Sequence, residues 1–298
     1  MVKKCLAVLI SVCVLITSTI IVRAEEIENS KEIGNISTAS VELSAKEKTE
    51  FAAFAQKKYE ISVANGEFMT ASISENEELV TKAAASTGEE KLRLSSELEK
   101  RGVYELVKSN ETTNRTRMGT SDILMRTPTT YYDADNRCWY ITYSGRWVND
   151  NWNNTLFWGD VGDADAYGIS YTQTSDNYTS YVMSSFAHIY DEDEQVYLNT
   201  RVRSDGNGAN GFGFRLQDRT EIYNWNKIYV GYCWGVTCTY SESFGSYSGV
   251  ATGYYIHTYD EAYISSLTIG VEGKTGGLSF TIQNSNLSFI GYSDDFRF

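Results

Sequence analysis

From residue 129 onward, apolar and polar side chains alternate along short runs. In 196–202, Val, Leu, Thr and Val occupy the even positions, with Tyr, Asn and Arg between them. This period of two places alternate side chains on opposite faces of a β-strand. A run rich in Gly and Asn follows at 204–210, and in 212–216 Phe, Phe and Leu again take the even positions. The pattern predicts a hairpin formed by 196–202 and 212–216.

The same period recurs near the C-terminus. Apolar residues alternate in 267–271, 278–282 and 287–289, which predicts a meander of three strands. Further candidate strands lie near 138–144, 155–159, 167–173, 180–190, 227–234 and 251–257. About ten or eleven short strands with turns between them are typical of an antiparallel β-sandwich or jelly-roll-like domain.

The residues before 129 predict helices instead. A Ser or Thr followed three residues later by Glu marks a helix start, because both side chains satisfy free N–H groups of the first turn. Glycine marks a helix end, because it adopts the left-handed conformation that closes the last turn. The predicted starts are Ser44/Glu47, Ser74/Glu77 and Thr87/Glu90, and the predicted ends are Gly66 and Gly102.

Aromatic content changes abruptly along the chain. Residues 25–128 contain five aromatic side chains, whereas 129–298 contain 35. Aromatic enrichment favours strands, and Ala, Glu, Lys and Leu favour helices. We therefore predict a signal peptide, a flexible leader, a small helical segment, a linker and an aromatic-rich all-β domain, at 1–24, 25–43, 44–108, 109–128 and 129–298.

The N-terminus has the three parts of a secretory signal. Lys3 and Lys4 precede an apolar run from Leu6 to Ile16, and Ala24 ends a segment suited to signal peptidase. The alternative is an uncleaved anchor, because the apolar run is nearly long enough to span a bilayer. We predict cleavage after Ala24, a secreted or extracellular protein, and no membrane span after cleavage.

Charge and cysteine content narrow the classes of partner and chemistry. A formal net charge of −13 disfavours nucleic acid, which attracts basic faces. After signal cleavage Cys138, Cys233 and Cys238 remain, in a compartment where disulfides form. A Cys233–Cys238 bond across a turn at Gly235 is the first candidate. Pairing of Cys138 with either, or no bond at all, are the alternatives.

Catalytic and metal-binding patterns are sparse. The two histidines, His188 and His257, both fall in alternating runs and look like ordinary members of a strand face, which disfavours a catalytic triad or a His-rich zinc site. The group Asp160, Asp163 and Asp165 is a candidate structural calcium site. Its alternative is an acidic turn, and we predict no other cofactor.

Tryptophans interleaved with amides carry the strongest functional signal. Trp rings stack on sugar faces while Asn side chains hydrogen-bond hydroxyl groups. The candidate ligand-binding residues are Trp147, Trp152, Trp158, Asn151 and Asn153. The alternative is that these rings fill the core of the sandwich.

The leading functional hypothesis is a secreted or surface-associated non-enzymatic β-sandwich that binds carbohydrate or a cell-surface protein. A secreted glycoside hydrolase is the second hypothesis, because carboxylates are abundant, with the densest run at 191–194. The composition is also similar to that of jelly-roll xylanases, although their catalytic glutamates do not align with this chain. The third hypothesis is a toxin or bacteriocin-like effector whose helical segment is a removable pro-region.

Overall fold

The computed structural model describes residues 18–22, 45–106, 123–149, 159–173, 182–193, 197–206, 211–258, 263–272, 275–283, 288–292 and 296–297. The helices are α1 (Ala45–Ala64), α2 (Ile73–Ala85), α3 (Gly88–Lys100) and a short 3-10 helix at Glu242–Ser246. The strands are β1 (Ser18–Val22), β2 (Val103–Glu105), β3 (Ile123–Met125), β4 (Thr129–Asp133), β5 (Cys138–Trp147), β6 (Gly159–Asp160), β7 (Asp165–Gln173), β8 (Val182–Tyr190), β9 (Tyr197–Thr200), β10 (Asp205–Gly206), β11 (Gly211–Leu216), β12 (Arg219–Tyr223), β13 (Asn226–Val230), β14 (Cys233–Ser241), β15 (Gly249–Thr258), β16 (Tyr263–Glu272), β17 (Thr275–Gln283), β18 (Ser288–Tyr292) and β19 (Phe296–Arg297).

Two antiparallel sheets carry most of these strands. The helix-covered sheet has the order β2-β4-β5-β14-β8-β9, with β3 also paired to β5. The second sheet has the order β10-β11-β7-β15-β18, with β19 also paired to β15. Smaller groups are β13-β12-β6 and β1-β17-β16. The predicted fold class, an antiparallel β-rich domain preceded by a helical segment, is confirmed.

Two predicted strand pairings are wrong. Strand β9 pairs with β8 in the helix-covered sheet, whereas β11 pairs with β7 in the second sheet, so 196–202 and 212–216 do not form a hairpin. Likewise β16 and β17 form the expected hairpin, but β18 pairs with β15. A period of two identifies the faces of a strand, and it does not select the partner strand.

The central strand β14 faces two different environments. Its even residues, including Trp234 and Tyr240, enter the core between the sheets, where Trp234 stacks on Tyr255 with 4.0 Å between ring centroids. Its odd residues face the helices, as the Thr237 hydroxyl does, 2.5 Å from that of Thr81 on α2. The sandwich core therefore lies on one side of this strand and the helical layer on the other.

Polar side chains attach α2 to the helix-covered sheet. Glu77 is fully buried and accepts hydrogen bonds from the Ser184 and Thr239 hydroxyls at 2.9 and 2.6 Å. It also forms an ion pair with Arg201. A side chain on Gly235 would meet Thr81 at 2.8 Å, so the missing Cβ permits this close approach.

The helix termini confirm some of the predicted signals. Gly66 and Gly102 have φ of 72° and 74°, as expected for residues that close helices. The start of α2 is not at Ser74/Glu77. Ser72 caps this helix, with its hydroxyl 3.3 Å from the Glu75 N–H and its own N–H 2.8 Å from the Glu75 carboxylate. Thr87 occupies the N-cap position of α3, without a side-chain hydrogen bond.

The candidate disulfide between Cys233 and Cys238 is not formed, and the side chains of Cys233, Cys238 and Cys138 are all buried. Gly235 continues β14 instead of forming a turn, so an offset of five places the two side chains on opposite faces. Cys233 packs on the helical side with Ala85 and Cys238 enters the sandwich core. Two thiols on opposite faces of one strand cannot meet the geometry of a disulfide.

Candidate functional site

A polar cleft of about 500 Å³ opens beside the β12–β13 hairpin. The hairpin forms one wall, the turn after β8 forms another, and Asn149 at the end of β5 contributes an amide. The lining residues are Asn149, Asp191, Glu192, Asp193, Tyr223, Asn224, Asn226, Lys227, Ile228, Tyr229 and Tyr232. Aromatic rings, amides and carboxylates thus share one concave surface.

The hairpin presents a fully exposed indole at its tip. Asn224 and Trp225 have φ of 48° and 68°, which suits the central positions of a two-residue hairpin turn. Trp225 is 97% exposed, and its neighbours Asn224 and Asn226 both line the cleft. A bulky residue at positive φ is strained, so an exposed Trp here points to a use for the ring.

The acidic turn after β8 combines buried and exposed carboxylates. Asp191 is buried, whereas Glu192 and Asp193 are exposed. Glu192 lies 3.6 Å from the Arg146 guanidinium, which in turn lies over the ring of Tyr232. Arg146 therefore holds the acidic turn against this edge of the cleft.

Tyr229 links the cleft to a buried carboxylate–histidine cluster beneath it. Its ring lines the cleft but is only 7% exposed, and its hydroxyl donates a hydrogen bond to Asp218. Asp218 follows β11, Asp165 begins β7 and His257 lies near the end of β15. All three side chains of the cluster are fully buried.

Asp165 is the carboxylate of this cluster with the most hydrogen-bond partners. Its two oxygens lie 3.0 Å from His257 Nδ1. The Thr258 N–H and the hydroxyls of Tyr167 and Tyr255 donate to it at 3.0, 3.2 and 3.0 Å. These donors and the imidazole together fix the orientation of the Asp165 carboxylate.

Asp218 lies in a less favourable environment. Its Oδ2 is 3.7 Å from His257 Nδ1, and its Oδ1 has no hydrogen-bond partner among the described residues. Burial, and then the nearby charge of Asp165, raise the pKa of Asp218 well above its ordinary value.

The structure does not bring the predicted site residues together. Trp147 is 1% exposed and packs against His257 with 5.1 Å between ring centroids, so its prediction as a stacking surface is wrong: neither face is open to a sugar. Trp152, Trp158, Asn151 and Asn153 lie outside the described residues.

The three predicted metal ligands are also separated. Asp160 and Asp163 are exposed, while Asp165 is buried and meets Asp218 and His257 instead. The interpretation of His257 as an ordinary member of a strand face missed this contact. Sequence reasoning also missed Trp225, although the two-residue interval between the runs 219–223 and 226–230 is a hairpin signal.

Comparisons with known proteins identify no family for this chain. No family model and no curated protein sequence matches the chain. One solved structure, described as "pH-induced modulation of Streptococcus parasanguinis adhesion by Fap1 fimbriae", aligns with 61% of this chain and 87% of its own at 10% identity and a TM-score of 0.24. A likeness at this score supports no inference about function. Within the described residues, no helix is long and apolar enough to cross a membrane.

Proposed function

We propose that this protein is a secreted or cell-surface-associated, non-enzymatic β-sandwich that binds carbohydrate in the polar cleft. The observation that carries the proposal is the exposed Trp225, which does not line the cleft itself but stands between two residues that do, Asn224 and Asn226. An indole ring stacks on the apolar face of a sugar, and amides and carboxylates bind its hydroxyls. The tripartite N-terminus supports export.

The exposed ring offers a measurable share of binding energy. A Trp side chain has roughly 200 Å² of surface, and covering about half of it with a sugar contributes about 2 kcal/mol. Removing the ring should therefore weaken binding about 30-fold. The stability of the fold should change little, because Trp225 is 97% exposed.

The test is a panel of soluble and insoluble glycans probed with the mature chain and the Trp225→Ala variant. Phe54→Ala is the matched control, because Phe54 is an aromatic residue 62% exposed on α1. We expect at least one glycan to bind wild type and Phe54→Ala equally and Trp225→Ala about 30-fold more weakly. Equal binding by all three proteins, or no binding glycan, would refute the proposal.

A glycoside hydrolase is the second candidate function. The supporting observation is that Asp191, Glu192 and Asp193 line the same cleft, and glycoside hydrolysis uses a pair of carboxylates. Release of reducing ends from a bound soluble glycan, lost in Glu192→Gln, would favour this function. Binding without turnover would favour the non-enzymatic one.

A further inference from the structure

We propose that Asp165, Asp218 and His257 bind one first-row divalent cation, with Zn²⁺ the best match, beneath the floor of the cleft. Each residue offers one ligand atom, and these atoms all lie within 4.8 Å of one another. The residues come from three separate strands or strand ends, so the assembled fold creates the site.

The distances between ligand atoms suit a small cation. Tetrahedral coordination with bonds of 2.0–2.1 Å separates neighbouring ligand atoms by about 3.3 Å. His257 Nδ1 lies 3.0 Å from the Asp165 oxygens and 3.7 Å from Asp218 Oδ2, which brackets that value. The ligand atoms of Asp165 and Asp218 also lie within 4.8 Å of each other, so all three residues could close on one ion.

The charge balance also favours a cation. Two fully buried carboxylates share one imidazole, and among the described residues their ion pairs involve His257 alone. The nearest basic side chain in sequence, Arg219, instead pairs with Glu221. A divalent cation would balance the charge of the two carboxylates.

An oxygen atom of Asp218 provides a second, independent observation. Its Oδ1 is buried and receives no hydrogen bond from the described residues. A buried acceptor left without a partner costs about 1–3 kcal/mol, so such atoms are rare unless an ion or water meets them. The same carboxylate faces His257 through its other oxygen, Oδ2, at 3.7 Å, so a cation bound there would contact a carboxylate that has one unpartnered oxygen.

The residues around the cluster already orient its carboxylates as metal ligands require. Ligating carboxylates are normally hydrogen-bonded by a second layer of donors. The Tyr167 and Tyr255 hydroxyls and the Thr258 N–H donate to Asp165, and Tyr229 donates to Asp218. One imidazole with two carboxylates suits Zn²⁺, whereas Ca²⁺ takes six to eight oxygen ligands.

The experiment titrates Zn²⁺ into chelator-treated mature protein by calorimetry. We expect one ion per chain and a raised melting temperature. Asp218→Asn and His257→Gln should each weaken binding at least 10-fold, and Tyr229→Phe about 10-fold. Asp163→Asn is the matched control, because Asp163 is an exposed carboxylate near the start of β7, and it should bind as wild type does.

Co²⁺ gives a readout that does not depend on the variants folding. Wild type loaded with one equivalent should show the strong visible absorption of a four-coordinate site. Absence of stoichiometric Zn²⁺ and Co²⁺ binding by wild type would overturn the proposal. Unchanged Zn²⁺ affinity in a folded Asp218→Asn, or affinity lost only in Asp163→Asn, would overturn it as well.

Discussion

Removing the Glu77 carboxylate tests whether the helical segment and the sheet form one cooperative unit. Glu77 lies on α2, is fully buried, and contacts Ser184, Thr239 and Arg201 on the sheet side. Glu77→Ala leaves two hydroxyls without their acceptor and leaves Arg201 with Glu78 as its remaining carboxylate partner. These contacts join segments more than 100 residues apart in sequence.

The expected loss follows from burial. Deleting one partner of a buried ion pair typically lowers the free energy of unfolding by about 3–5 kcal/mol. The Arg201 side chain is 37% exposed and can regain water, so we expect the lower end, about 3 kcal/mol. Glu77→Gln retains an acceptor for the hydroxyls and should lose about 1–2 kcal/mol.

Urea unfolding followed by circular dichroism and Trp fluorescence measures this loss. Glu78→Ala is the matched control: Glu78 also contacts Arg201, at 3.0 Å, but its side chain is 52% exposed. An exposed pair of this kind contributes about 0.2–1 kcal/mol. If Glu77→Ala and Glu78→Ala differ by less than about 0.5 kcal/mol, the reasoning from burial is wrong. A helical segment that melts separately from the sheet would also contradict it.

Three further predictions concern residues that are buried or half-buried. Trp147→Ala should lower the free energy of unfolding by about 3–5 kcal/mol in urea titrations, because the ring is 1% exposed. Alkylation of denatured, unreduced mature protein should label Cys138, Cys233 and Cys238; an intact mass showing fewer labels would contradict the free thiols. Burial, then the charge of Lys82, lowers the pKa of His188 from 6.5 to about 4. The unfolded chain therefore binds more protons between these pH values, so stability falls as pH drops through this window, by up to about 3 kcal/mol. His188→Gln should remove that part of the pH dependence, and equal slopes for both proteins would refute it.

Local sequence patterns predicted where strands and helices lie better than they predicted which elements pack or pair with each other. The alternation in 212–216 placed β11 correctly, but its pairing with β7 depends on which sheet the chain enters after residue 206. Ser74 and Glu77 fit a capping box by spacing, yet the fold uses Ser72 and Glu75 for the cap and buries Glu77 between α2 and the sheet. Spacing rules describe contacts within one element, and burial of Glu77 depends on residues far along the chain.

The candidate site was the least predictable part for the same reason. Asp165 and His257 are 92 residues apart in sequence, and Asp218 follows a strand with no signal that separates it from a solvated turn. Trp147 lies shortly before a run of Asn residues in the sequence. Side chains alternate between the two faces of β5, however, and the Trp147 ring lies on the face that packs in the core. Trp225 differs, because the hairpin that exposes it is local and could have been found from its two-residue turn.

The two-faced environment of β14 limits how this chain can change length. Inserting or deleting one residue in Cys233–Ser241 would turn every later side chain to the opposite face. Trp234 and Tyr240 would then press on α2, while Thr237 and Thr239 would enter an aromatic core without their partners. Substitutions can be absorbed one position at a time, but length variation here would disrupt two packed layers at once. Among proteins that share this fold, we expect insertions and deletions to accumulate in the connections and to spare this strand.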